Sequence, residues 1–123
     1  MQSPANHYLA QRVNTASPAE LTQMLYDALC ANIRGAISKL DAGAPVEASA
    51  KLIKAQAILL ELRATLNKDA GELADRLDAL YTFALVRLMD AGRLSKAKPA
   101  REALDVCDPL RTAWREACVL VAA

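Results

Sequence analysis

Histidine is nearly absent from this chain. The single one, His7, precedes the first strongly patterned segment. A His–Asp relay, a phosphotransfer histidine on a helical face and a histidine-based metal site therefore all lack their central group. No Glu-x-x-His pair exists for a di-iron bundle, and no glycine-rich loop is present to cradle phosphate. Cysteine is limited to Cys30, Cys107 and Cys118, an odd number without CxxC spacing. These read as reduced thiols of a cytosolic protein, each set within or beside an apolar arc as packing rather than as a nucleophile. Charge of one sign is not in excess: the net charge is +1 with 24% charged residues. That leaves no electrostatic footprint for nucleic acid or an anionic membrane, and the local cluster Arg93, Lys96, Lys98, Arg101 reads as a solvated turn. Residues 1 to 17 hold no apolar run fit for a signal peptide. The longest such run in the chain, the terminal ACVLVAA, is far too short to cross a bilayer. What remains is a binding protein, not an enzyme, with no cofactor, no metal and no membrane insertion.

Aromatics make up only 4% of the chain, whereas hydrophobic residues make up 54%, mostly alanine and leucine. That balance favours packed helices over a β-sandwich. A length of 123 residues suits one domain with a single core. Residues 1–16 show no sustained period and read as a loosely held arm or short cap helix carrying Tyr8, Leu9 and Val13. The remaining residues, 17–123, carry four helical patterns, expected near 18–40, 45–67, 70–92 and 99–121.

Ser17-Pro18-Ala19-Glu20 opens the first with a cap, a proline at the first helical position and a capping-box glutamate. Leu25, Tyr26, Leu29, Ile33, Ala36, Ile37 and Leu40 form its core arc. Met24, Ala28, Ala31 and Gly35 form a row of mostly small residues suited to close approach by a neighbour. Asp41 to Pro45 stops this helix and opens the second. Asp69, with Glu72 three positions on, is the expected cap of the third. Leu73, Leu77, Leu80, Tyr81, Ala84, Leu85 and Leu88 share the third helix's core arc. The fourth shows one clean stripe, Ala103, Val106, Cys107, Leu110, Trp114, Ala117 and Val121, with Pro109 on the wet side. The spacing predicts a kink near Asp108-Pro109, or a break with Asp108 as a fresh cap. Short connectors force sequential helices to be antiparallel, so the expected fold is an all-α, up-and-down four-helix bundle.

The second helix is unusual because it has two apolar sides. Leu52, Ala55, Leu59, Leu62 and Leu66 fall on one arc, and Ile53, Ala57, Leu60 and Ala64 on the opposite one. One arc can face the core, and the other needs a cover. A central bundle helix wrapped by its own neighbours is one reading, and a docking groove for another chain is the other. Ala79, Phe83 and Val86 form a second apolar row on the third helix, so the two off-core rows could border one groove. Partner-binding residues are accordingly Ile53, Ala57, Leu60, Ala64, Ala79, Phe83 and Val86, in the manner of a helix-in-groove binder. A structural bundle that buries the same rows against a second copy, a homodimer when free, is the competing class.

Val13-x-Thr15-Ala16-Ser17-Pro18, followed by Leu21-x-x-Met24-Leu25-Tyr26-Asp27, resembles the opening of the flagellar secretion chaperone family, FliS. Lys54-Ala55-Gln56 with Ile58, Glu61-Leu62 and Leu66-Asn67 resembles its second helix. Gly71-Glu72-Leu73-Ala74, Leu77, Leu80-Tyr81 and Arg87-Leu88 resemble its third, and Trp114 its late tryptophan. Ala28-Leu29, Ala91-Gly92 and Pro109 depart from the family pattern and bear on local helix geometry. The resemblance implies a cytoplasmic chaperone that holds the C-terminal segment of flagellin, preventing premature polymerisation and keeping the subunit competent for the flagellar type III export apparatus. It also implies that the N-terminal segment, here with Tyr8, Leu9 and Val13, caps the free chaperone and gives way to flagellin.

Overall fold

The computed structural model describes residues 16–122. Four long helices follow one another: α1 (Pro18–Asp41), α2 (Pro45–Ala64), α3 (Glu72–Leu94) and α4 (Ala97–Ala122), with a 3-10 turn at Lys68–Ala70 between α2 and α3. No strand occurs among the described residues. Each helix packs on the next, and α4 closes back on α1, giving the all-α bundle that periodicity predicts.

The helix starts follow from local chemistry. Ser17 Oγ accepts the Glu20 amide at 3.2 Å, satisfying one of the amides a helix start leaves open, and Pro18 stands where no amide bond is lost. Gly43, at a φ of 72°, turns the chain after α1, and Pro45 starts α2. The end of α2 differs from expectation. It stops at Ala64 rather than residue 67, where Thr65 Oγ1 donates back to the Leu62 carbonyl at 2.8 Å. Asn67 Oδ1 then accepts the Asp69 amide at 3.0 Å within the 3-10 turn. Asp69 is consequently inside that turn and does not cap α3. Gly71 occupies the cap position with a φ of 63°, and no side chain caps the helix there. The α4 helix starts at Ala97 and runs unbroken through Pro109. Asp108 is not a cap, because its carboxylate is taken by Arg34 at 2.8 Å and Arg111 at 3.2 Å. Pro109 is exposed, so the amide bond it removes is lost on the wet side.

The core lies where the arcs meet. Tyr26, Leu29, Cys30 and Ile33 of α1 face Leu52, Ala55, Leu59 and Leu62 of α2, with Tyr81, Ala84 and Leu88 of α3 and Ala103 and Cys107 of α4. All three cysteines are free thiols, Cys30 and Cys107 fully buried. Burial pushes the Cys107 thiol up to about 12 and the Cys30 thiol up to about 11, so both pack as small apolar groups. The small-residue row of α1 serves a narrower purpose than predicted. Ala28 and Ala31 are exposed and Met24 is half-buried, while Gly35 is closely approached by the aliphatic stem of Lys51 from α2. Two leucines assigned to the core arc of α3 are also outside it: Leu73 is 63% exposed and Leu80 37% exposed.

Candidate functional site

Leu59 and Leu60 are neighbours in sequence, yet Leu59 is fully buried and Leu60 is 51% exposed. The same division runs along α2. Its core arc is inside, while Ile53, Ala57, Leu60 and Ala64 all face solvent. On α3, Ala79, Phe83 and Val86 are likewise exposed, turned away from the Tyr81–Leu88 side that meets the core. Of the ten large apolar side chains exposed among the described residues, nine sit on α2 or α3, none on α1, and one, Val119, on α4. Exposed large apolar side chains are thus concentrated on one helix pair among the described residues.

The register of that pair is fixed by Arg63 Nε, which donates to Asp78 Oδ1 at 2.8 Å. Beside this ion pair an open cleft of ≈ 670 Å³ is lined by Leu60, Arg63, Ala64, Leu66, Ala74, Asp75 and Asp78. It lies where α2 ends and α3 begins. Leu60 and Ala64 belong to the cleft; Ile53 and Ala57 continue the same row along α2. The α3 residues divide. Asp78 marks the side of α3 that meets α2, and Arg87, bonded to Glu102 at 3.2 Å, marks the side that meets α4. At about 100° per residue, Ala79 and Val86 fall near the outer midline between those two sides, and Phe83 leans towards α4. The rows therefore cover the outer face of the pair rather than meeting in one trough.

Sequence periodicity did not assign five of those nine side chains to an exposed row, among them Val46, seven positions before Ile53 and 84% exposed, and Leu94, 45% exposed. Met89 is 55% exposed and continues the row three positions after Val86, a step that the spacing already contained. Leu73 and Leu80 are exposed along the edge of α3 nearer α4. Tyr8, Leu9 and Val13 lie outside the described residues.

The opposite side of the bundle is closed by charge. Asp27 on α1 receives Arg111 and Arg115 from α4, each at 3.3 Å, and Asp108 on α4 receives Arg34 from α1. Hydrogen bonds from Arg34 and Arg111 hold the Asp108 carboxyl below the usual carboxylate range. No group of His, Cys, Asp and Glu among the described residues has a metal-holding arrangement, and no described helix is long and apolar enough to cross a membrane. The basic turn predicted from Arg93 to Arg101 is solvent-exposed, with Arg93 on Asp90 and Arg101 on Asp41.

Residues 1–120 match the model of the family described as Flagellar protein FliS. The chain is similar to the flagellar secretion chaperone FliS of Bacillus subtilis (strain 168), being 34% identical over 117 residues, 95% of this chain and 87% of that protein. It is also similar to the flagellar secretion chaperone FliS of Vibrio cholerae serotype O1, being 28% identical over 105 residues, 84% of this chain and 76% of that protein.

Proposed function

The chain belongs to the FliS family, a family of flagellar secretion chaperones and not of enzymes, and on that footing we propose that it binds the C-terminal segment of flagellin on the outer face of α2 and α3. The observation that carries this reading is the concentration of exposed large apolar side chains on that one helix pair. A disordered apolar tail that folds as it docks would cover Ile53, Leu60, Val86 and Phe83 and lose its own tendency to polymerise. Ala57, Ala64 and Ala79 between them leave room for the backbone of the docked segment. In this reading the protein works in the cytoplasm, keeps flagellin monomeric and hands it to the flagellar export apparatus. The free thiols of Cys30, Cys107 and Cys118 suit a reducing compartment. The arm, through Tyr8, Leu9 and Val13, covers part of the face until flagellin displaces it.

Calorimetric titration of the full chain with a synthetic peptide of the flagellin C-terminal segment, with sedimentation of the free protein alongside, tests this. One-to-one binding by a protein that is monomeric when dilute is expected. A stable dimer that buries Leu60 and Phe83 and ignores the peptide would replace the chaperone reading by self-association.

A further inference from the structure

The apolar face has an acidic end and a basic end, and both of its walls agree. On α3, Arg93 follows Asp75 by 18 positions, about five turns and about 27 Å along one line of the helix. Asp75 lies in the cleft at the start of α3 and makes no ion pair among the described residues. Its neighbour Asp78 is already neutralised by Arg63. At the far end Arg93 is 69% exposed and reaches Asp90 only at 3.4 Å, while Asp90 is also held by Arg87. On α2, Glu61 and Lys54 are seven positions apart, about two turns, and both are exposed. Because α2 runs antiparallel to α3, Glu61 lies towards the Asp75 end and Lys54 towards the Arg93 end. Leu60, Val86 and Met89 lie between these four charges.

From this polarity we infer that the surface sets the direction of the segment docked on it: a helix seated there runs parallel to α3. A helix carries partial positive charge at its N-terminus and partial negative charge at its C-terminus. The N-terminus is stabilised over Asp75 and the C-terminus over Arg93, while Glu61 and Lys54, about 10 Å apart, repeat the same polarity nearer the middle. The reversed helix buries the same apolar area but meets like charge at both ends. Apolar contact thus supplies affinity without direction, and the flanking charges supply direction. The inference rests on the flagellin reading, since it takes the flagellin tail as the occupant.

Its test uses the full chain and two versions of the flagellin C-terminal peptide, one with a nitroxide at the N-terminal end of its apolar stretch and one with it at the C-terminal end. Paramagnetic broadening of the protein's amide signals is then read. The N-terminal label should broaden Ala64 and Ala74 to Asp78, and the C-terminal label Met89 to Arg93. Exchanging the charges (Asp75→Arg with Arg93→Asp) should weaken binding roughly threefold to tenfold at low salt, with the loss shrinking as salt is raised. The reverse broadening pattern, or equal broadening at both ends from either label, overturns the direction while leaving flagellin binding intact. A peptide that does not bind at all removes the flagellin reading itself and this inference with it.

Discussion

The hydroxyls of Tyr26 and Tyr81 are hydrogen-bonded to each other in the middle of the core, joining α1 to α3 across the diagonal of the bundle. Both rings are buried, and Trp114 of α4 stands 6.3 Å from the Tyr26 ring at an interplanar angle of 40°. The Trp114 indole Nε1 donates to the Ala19 carbonyl at 3.1 Å, tying α4 to the start of α1. One polar contact thus links α1 and α3, one of the two diagonal pairs of the bundle.

Removing one of those hydroxyls leaves the other buried without its partner. Tyr26→Phe or Tyr81→Phe should each lower unfolding free energy by about 1–3 kcal/mol. The double variant should lose clearly less than the sum of the two. Urea denaturation of the four proteins measures this, and strictly additive losses would show that the two hydroxyls are not coupled.

The buried thiols make stability fall in mild alkali. An unfolded thiol ionises near pH 8.5 or so, whereas burial holds Cys30 up to about 11 and Cys107 up to about 12. Their contribution is therefore complete below about pH 8.5 and declines as pH rises towards those folded values. Burial and the shared hydrogen bond raise Tyr26 as well, which steepens the fall above about pH 10. Denaturant titrations from neutral pH upward should show this decline, and Cys107→Ala should flatten its first part even if the variant is less stable throughout. An unchanged slope in that variant would contradict the assignment.

Pro109 interrupts the hydrogen bonding of a continuous helix at an exposed position. Pro109→Ala restores the amide donor without disturbing a packed neighbour, so it should stabilise the protein by about 1–3 kcal/mol. A lower melting temperature in that variant would mean that the proline fits a local geometry that alanine does not.

The contrast between Leu59 and Leu60 separates the core from the surface proposed for docking. Leu59→Ala should destabilise by about 2–5 kcal/mol. Leu60→Glu and Phe83→Glu should leave unfolding within about 1 kcal/mol of the parent, since exposed substitutions usually change little. The same two variants should bind the flagellin peptide roughly ten- to a hundredfold more weakly. Loss of folding in Leu60→Glu would return that row to the core.

Much of this division was legible from spacing alone, because α2 has two apolar arcs and a bundle position can bury only one of them fully. Leu52, Ala55, Leu59 and Leu62 went inside, and Ile53, Ala57, Leu60 and Ala64 stayed outside. Leu73 and Leu80 were not legible. They share one edge of the α3 arc, seven positions apart, and periodicity does not reveal how wide a strip the neighbours cover. The end of α2 was also hidden. A single Thr65 hydroxyl turning back on Leu62, and a glycine free to take a positive φ at residue 71, decided it against an aspartate with good capping chemistry. Pro109 shows the converse: a strong breaker signal was overridden because Asp108 found arginine partners and the helix beyond carries Leu110 and Trp114 onto the core.

Amide hydrogen exchange with and without the flagellin C-terminal peptide tests the central claim most directly, because it shows where the partner lies without altering the protein. The account predicts new protection along residues 53–64 of α2 and 79–89 of α3. It predicts little change where Asp27, Arg34, Asp108 and Arg111 close α1 against α4, and faster exchange in the arm around Tyr8 to Val13. Protection confined to the α1–α4 side, with α2 and α3 unchanged by bound peptide, would contradict it.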